Sequence, residues 1–299
     1  METVIVTGGL GRSGRWIVDR LADQYEVVCV DLHHPGFEAT AAENVDFRAA
    51  DLADRGETYD LIDAVDPDAV VHWAAIPSPT RHAGGRVFET NVLAAYNVLT
   101  AAGRAGARVV QASSESAYGF AFAEETPLPD ALPITEAHPR RPEDPYGLGK
   151  VVAEDVADTV VRKHDVSVTS VRPSWIQQPG EYNCRSEATL ADLSNGAGNC
   201  WSYVDARDVA DLVAAALADP VDGHEAVHAA AADTYLDGSV VDACLAFWGE
   251  VPDDCGLDAD GDASALSTAK AEHLFDWTPS HTWRDAATAD VDAPSLTEP

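Results

Sequence analysis

Up to Val171 the chain alternates short β-branched runs with longer amphipathic stretches. Thr3–Thr7, Glu26–Val30, Val45–Phe47, Ala69–Trp73, Arg108–Ala112 and Val166–Val171 each read as a strand. They are continuous apolar runs, as expected of parallel strands covered on both faces. Helical patterns at Gly14–Asp23, Thr58–Val65, Val87–Ala105 and Tyr146–His164 separate them, and this alternation predicts a doubly wound α/β sheet. Prolines at 127, 129, 133, 139 and 142 make Phe120–Asp144 a long ordered loop. After Pro173 the rhythm changes. Asp205–Asp219 reads as a strong helix stopped by Pro220, followed only by an apolar run at Ala226–Ala231 and a helical Gly238–Gly249. No internal repeat is visible, and the last ten residues read as a frayed tail.

A chain of 299 residues, 46% of them hydrophobic, can bury a large core. Its charge is what departs from the ordinary: 51 acidic residues against 19 basic ones, a net charge of −32, and lysines only at 150, 163 and 270. The carboxylates run through every segment. Such a hydrated surface keeps a protein soluble in molar salt, where exposed charges are heavily screened, and it reads as suited to a halophilic cytoplasm. It repels nucleic acid and anionic membrane faces, so neither is expected as a partner. No leader-like segment precedes the first motif, and no apolar run approaches the ~20 residues of a membrane span, so a cytoplasmic location is expected. Cys29, Cys184, Cys200, Cys244 and Cys255 lack C-x-x-C spacing and read as free thiols. No metal is expected either. In the calcium-like Asp258-x-Asp260-Gly261-Asp262 the glycine comes too early, and Ala269 stands where a bidentate Glu is needed.

Thr7-Gly8-Gly9-Leu10-Gly11-Arg12-Ser13-Gly14 follows the first strand and opens the first helix. Glycines placed there permit a tight turn and let a pyrophosphate approach the positive helix N-terminus. Asp31 closes the second strand, where a carboxylate accepts hydrogen bonds from ribose hydroxyls and repels a 2′-phosphate. This favours NAD. Arg12 cuts the other way, toward NADP.

Tyr146-Gly147-Leu148-Gly149-Lys150 puts a phenol and an ammonium on one helical face. The ammonium is expected to lower the phenol pKa, so that Tyr146 exchanges a proton with a substrate hydroxyl. Ser113-Ser114-Glu115-Ser116-Ala117-Tyr118-Gly119 follows the fifth strand, at the ligand-facing end of the sheet.

Over nearly its whole length the chain resembles the extended short-chain dehydrogenase/reductase family, which includes nucleotide-sugar epimerases, dehydratases and sugar dehydrogenases. The resemblance implies an NAD(P)-binding Rossmann domain over residues 1–172 and a small α/β substrate-binding lobe over 173–299, integrated in a single unit. It implies a catalytic triad of Ser114, Tyr146 and Lys150. Gly8, Gly11, Arg12, Ser13 and Gly14 are implied at the cofactor phosphates, and Asp31, Leu32, Asp51 and Leu52 around the adenosine. Trp73, Ala74 and Ala75 of the H-x-A-A motif, with Asn91 and Pro173, are implied along the rest of the cofactor, which Tyr146 and Lys150 also touch. Asn91 and Asn97 match N-x-x-G-T-x-N, although Ala94 and Ala95 replace Gly-Thr. Ser78, Ser114, Glu115, Ser116 and Tyr146 are implied on the substrate side. Trp175 is either a wall of that site or plain core. Family members commonly pair as homodimers through the helices matching Val87–Ala105 and Tyr146–His164.

Dehydratases of the family carry Asp-Glu directly after the catalytic hydroxyl residue; Glu115-Ser116 here argues against dehydration. Epimerases bind a nucleotide diphosphate in the C-terminal lobe, yet from residue 173 onward only Arg185, Arg207, Lys270 and Arg284 are cationic. Arg172–Asn183 resembles the region of uronate dehydrogenases, in which P-x-x-Y precedes an Arg that clamps the sugar carboxylate. Here Pro179-Gly180-Glu181-Tyr182 precedes Asn183, whose amide suits a hydroxyl. Oxidation of a neutral aldose at C1 is therefore the leading reading. A nucleotide-sugar 4-epimerase or reductase with tightly bound NAD is the alternative, and a non-catalytic dinucleotide-binding regulator comes third.

Overall fold

The computed structural model describes residues 1–34 and 42–294, so part of the expected C-terminal tail lies outside the described residues. In chain order its first half holds β1 (Thr3–Thr7), α1 (Gly14–Ala22), β2 (Glu26–Asp31), β3 (Val45–Ala49), α2 (Arg55–Val65), β4 (Ala69–His72), α3 (Gly84–Ala105) and β5 (Arg108–Ala112). A 3-10 turn at Glu115–Tyr118 and a short β6 (Ala131–Leu132) lead to α4 (Pro145–His164) and β7 (Val168–Pro173). Then come β8 (Ile176–Gln177), α5 (Glu187–Leu190), α6 (Ser194–Ala197), β9 (Val204–Asp205), α7 (Ala206–Ala218) and β10 (His224–Ala229). The chain continues through α8 (Val240–Phe247), β11 (Asp254–Cys255), α9 (Ala269–Phe275) and α10 (Trp283–Ala286).

The central sheet is parallel throughout, in the order β10-β7-β5-β4-β1-β2-β3. Strands run outward in both directions from β1, which is the doubly wound Rossmann arrangement. Alternate residues of one strand serve opposite layers. Val4 and Val6 of β1 join Ile17 and Leu21 of α1 and Val209 and Val213 of α7. Ile5, between them, faces Ile62 of α2, Val98 and Leu99 of α3 and Val160 of α4. A third core holds the C-terminal lobe together around Trp201, Tyr203, Tyr235 and Leu266. Segments after residue 172 complete the sheet layer: α7 packs on α1, and β10 pairs with β7.

Local chemistry starts the helices where they are needed. Asp144 caps α4 by accepting from the N–H groups of Tyr146 (2.8 Å) and Gly147 (2.9 Å), with Pro145 at the first helical position. The cap brings Tyr146 into the first turn of α4, at the mouth of the sheet. Among the described residues no helix is long and apolar enough to cross a membrane, and no cluster of three or more His, Cys, Asp or Glu could hold a metal. All five cysteines are free thiols.

Candidate active site

The carboxyl ends of β1, β2, β3, β4, β5 and β7 open into one cleft of ≈ 1020 Å³. Its floor begins with the turn after β1. Gly8 has φ +68°, and a Cβ there would meet Ala74 Cα at 2.7 Å; a Cβ on Gly14 would meet the Gly8 carbonyl oxygen at 2.0 Å. The turn can thus lie against the end of β4 and under the start of α1 only with glycine at both positions. Thr7 Oγ1 locks the same junction, accepting from the N–H groups of Trp73 (3.1 Å) and Ala74 (3.2 Å) and bonding His72 Nδ1 (2.9 Å). Burial, and then the nearby Lys150, hold the His72 imidazole down at about 3, so it packs as a neutral ring.

At the other end of this floor Asp31 faces the glycine turn. Its carboxylate accepts from the N–H groups of Leu10 (3.2 Å) and Leu32 (2.8 Å). Leu32 is exposed at the rim, and Asp51 accepts from the Ala53 N–H at 3.0 Å. Two buried asparagines of α3 fix the surrounding loops. Asn91 exchanges hydrogen bonds with both backbone groups of Ile76, and Asn97 donates to the carbonyls of Leu52 and Ala53. Trp73 donates through its indole to Ser13 Oγ at 3.0 Å. A glycine turn at a helix N-terminus and a carboxylate at the end of β2, in a cleft of this size, fit a dinucleotide.

Ser114, Tyr146 and Lys150 line the middle of the same cleft. Lys150 is buried and donates to the Ala112 carbonyl at 2.6 Å, with its ammonium 5.5 Å from the centre of the Tyr146 ring. Burial lowers this ammonium to about 8, against the pull of Glu154. The phenol departs from the expected lowering: burial pushes Tyr146 up to about 12, and Asp144 and Glu115 add to it, while the Ser114 hydroxyl works the other way. The lysine points at a backbone carbonyl, so desolvation decides the phenol's state. Behind the triad, Glu154 accepts from Ser113 Oγ (2.5 Å) and forms a buried bidentate pair with Arg172 (2.8 and 2.7 Å). Burial opposes its ionisation, but Arg172 holds the Glu154 carboxyl below the usual range.

The cleft is also lined by Glu115, Ser116, Thr126, Ser174, Trp175 and Asn199, and by Ser78, which is hydrogen-bonded to Thr80 at 2.8 Å. Phe122 reaches over from the proline-rich loop and meets the Tyr146 ring edge-on at 6.2 Å. Trp175 is both wall and core, lining the cleft while packing against Tyr235. The structure brings every residue implied for cofactor or substrate to this cleft except Asn183, which is exposed in a turn after β8 and does not line it. Sequence reasoning missed Phe122, Thr126, Ser174 and Asn199. Ser174 had a signal, since it directly follows β7 at the ligand-facing end of the sheet; Asn199 lies where no periodicity is visible.

Residues 4–230 match the family model described as the NAD dependent epimerase/dehydratase family. The chain is 29% identical over 230 residues to a uronate dehydrogenase of Pseudomonas putida, covering 76% of this chain and 75% of that one. It is 32% identical over 183 residues to the L-arabinose 1-dehydrogenase (NAD(P)(+)) of Haloferax volcanii, covering 59% and 68%. A solved UDP-galactose 4-epimerase superposes with a TM-score of 0.68 at 27% identity, over 96% of this chain and 95% of that one. With three quarters of its length matched and the glycine turn, Asp31 and the Ser-Tyr-Lys set in one cleft, the chain belongs to the NAD-dependent epimerase/dehydratase family.

Proposed function

We propose that this protein is an NAD(P)-dependent dehydrogenase that oxidises a free, uncharged aldose at C1 to its lactone. One observation carries the choice of substrate. Every cation after residue 173 is paired away from the cleft: Arg185 with Asp237, Arg207 with Asp205, Lys270 with Glu225, and Arg284 with Asp233 and Asp262. A nucleotide diphosphate or a sugar carboxylate calls for such a group. Of the cations that line the cleft, Arg12 belongs to the glycine turn, Lys150 to the triad and Arg81 to the segment after β4; the C-terminal lobe contributes hydroxyls and amides, which suit sugar hydroxyls.

In this reading Gly8, Gly11, Ser13 and Gly14 hold the cofactor phosphates and Asp31 the adenosine ribose. Bound along the cleft, the nicotinamide nucleotide supplies the acceptor for the hydride that leaves C1. Tyr146 takes the proton of the anomeric hydroxyl as C1 becomes the lactone carbonyl, and Ser114 orients that hydroxyl. Lys150 stands beside the phenol with its ammonium held at the Ala112 carbonyl, and Phe122 limits water at the Tyr146 ring. The aldose loses a hydride and a proton, which balances the reduced nucleotide and the protonated base.

The second reading, a nucleotide-sugar epimerase that keeps its NAD, is supported by the likeness to UDP-galactose 4-epimerase. Free aldoses, uronates and nucleotide sugars, offered with NAD and NADP in concentrated KCl, separate the two. The proposal expects reduced nucleotide to accumulate with free neutral aldoses. Interconversion of nucleotide sugars without net reduction would overturn it.

A further inference from the structure

Buried polar atoms ordinarily have hydrogen-bond partners, and those that lack one point to a missing group. Among the described residues, two side chains that line the cleft carry such atoms. Ser174 is 5% exposed, and its Oγ makes no hydrogen bond. Asn199 has a buried Oδ1 with no partner. Both residues line the cleft.

The backbone around Asn199 holds it there. Cys200 (φ 49°) and Trp201 (φ 54°) follow it, both buried and both left-handed, a conformation that costs energy in residues other than glycine. The Trp201 indole donates to the Leu193 carbonyl at 3.0 Å, and its N–H donates to the Gly196 carbonyl at 3.0 Å. A Cβ on Gly196 would meet the Tyr235 hydroxyl at 1.8 Å, so the turn packs directly on the lobe core. Strain that the surroundings overdetermine in this way collects at ligand sites.

Glu115 completes the group. Its carboxyl lines the cleft beside Ser174, whose hydroxyl is the group that pulls it toward the ionised form. No lysine or arginine pairs with it among the described residues. Burial pushes the carboxyl well above the usual carboxylate range, against that pull from Ser174.

We infer that Glu115, Ser174 and Asn199 form a hydroxyl-recognition subsite that selects uncharged sugars and disfavours those bearing a carboxylate or phosphate. This rests on the sugar-dehydrogenase reading and deepens it. Asn199 Oδ1 accepts one substrate hydroxyl, Ser174 exchanges with a second, and the Glu115 carboxyl binds a third. Two of these hydroxyls thereby satisfy atoms left unpaired, on Ser174 and Asn199, which is where hydroxyl recognition gains its discrimination. None of these three residues offers an anionic substituent a cation; Arg81, which also lines the cleft, belongs to the segment after β4.

The test compares Glu115→Ala, Ser174→Ala and Asn199→Ala with the unmodified protein on the best free aldose, its monodeoxy analogues and its uronate. Each variant is expected to lower kcat/KM for the parent aldose at least about tenfold, mainly through KM, while one monodeoxy analogue is used equally by variant and unmodified protein. Glu115→Gln should recover part of what Glu115→Ala loses, since its amide still reaches the hydroxyl. The unmodified protein should use the uronate far less well than the aldose. Equal losses on parent and all deoxy sugars, or equal use of the uronate, would overturn the inference. If no free sugar is oxidised, the dehydrogenase reading falls and takes this one with it. If free sugars are oxidised with a flat deoxy pattern, this inference alone falls. The three alanine variants act separately, so one that does not fold leaves the others to decide.

Discussion

Arg12 of the glycine-rich turn and Glu181 of the segment after β8 form a 2.6 Å ion pair, although 169 residues separate them in the chain. Trp16 and Gln178 make a parallel tie, indole N–H to amide oxygen at 2.8 Å. Both charged side chains are exposed, so the pair contributes little to stability. Its consequence lies elsewhere. Arg12 is the residue that would favour a 2′-phosphate, and here a carboxylate already neutralises it.

Releasing Arg12 should therefore shift cofactor choice. Glu181→Gln is expected to raise the ratio of kcat/KM for NADP over NAD by about threefold to tenfold at low salt, and less in concentrated KCl, where the Debye length falls toward ~3 Å. Asp31→Ala should raise the ratio further, because the carboxylate at the end of β2 is the group that repels a 2′-phosphate. Unmodified protein that already prefers NADP, with no response to Glu181→Gln, would contradict this account of Arg12.

Lys150 makes stability depend on pH. It is 6% exposed, and burial lowers its ammonium from the usual 10.5 to about 8, with Glu154 opposing. Between those two values the unfolded chain binds the proton more tightly than the folded one, so stability should rise with pH across the window. The rise should amount to about 3 kcal/mol, as an order of magnitude. Lys150→Met removes this titration. Denaturant unfolding from pH 7 to pH 10.5 should therefore show the stability difference between the two proteins widening in favour of the lysine. Parallel curves would count against it.

How much of this was legible follows from what held each element in place. The five strands from Thr3 to Ala112 and the four helices between β1 and β7 are long and carry their own apolar pattern, so their positions agree with the sequence reading to within a few residues. The motif-bearing residues sit at their ends, and they arrive in the cleft with them. Beyond Pro173 the elements are short. β8 and β9 are two-residue strands that exist because Ile176 and Gln177 pair with Val204 and Asp205, a contact no local pattern encodes. Likewise β6 forms inside the proline-rich loop only because Ala131 and Leu132 pair with Asp254 and Cys255. Asn199 was invisible for that reason. Asn183, expected at the sugar, sits exposed in the three-residue turn Asn183–Arg185 and does not line the cleft.

The α3–α4 pair carries an unfinished surface. Leu93 (41% exposed), Tyr96 (48%) and Leu148 (45%) point outward from it on an otherwise acidic molecule. Apolar side chains grouped in this way suit an isologous interface. Light scattering in concentrated KCl is expected to give a homodimer, and the double variant Leu93→Arg/Tyr96→Asp a monomer with its fold retained. A monodisperse monomer of the unmodified chain at micromolar concentration would remove the proposal.

The sharpest test of the proposed chemistry is Tyr146→Phe. The phenylalanine keeps the edge-on contact with Phe122 and the place beside the Lys150 ammonium, and loses only the hydroxyl. Removing a general base costs about 10²–10⁴ in rate, and the upper end is expected, because proton and hydride leave the same alcohol. Cofactor affinity should hardly change, since the glycine turn and Asp31 do not involve the phenol. Lys150→Met should lose both rate and affinity, and Ser114→Ala should lose less rate than either, giving up a hydrogen bond but no proton acceptor. Because burial holds the phenol at about 12, sugar oxidation by the unmodified protein should climb with pH as the proton leaves more readily. The residual rate of Tyr146→Phe should lack that climb. If the variant instead keeps more than half of the turnover on the true substrate, Tyr146 is a packing residue, and the cleft binds a nucleotide without using this triad.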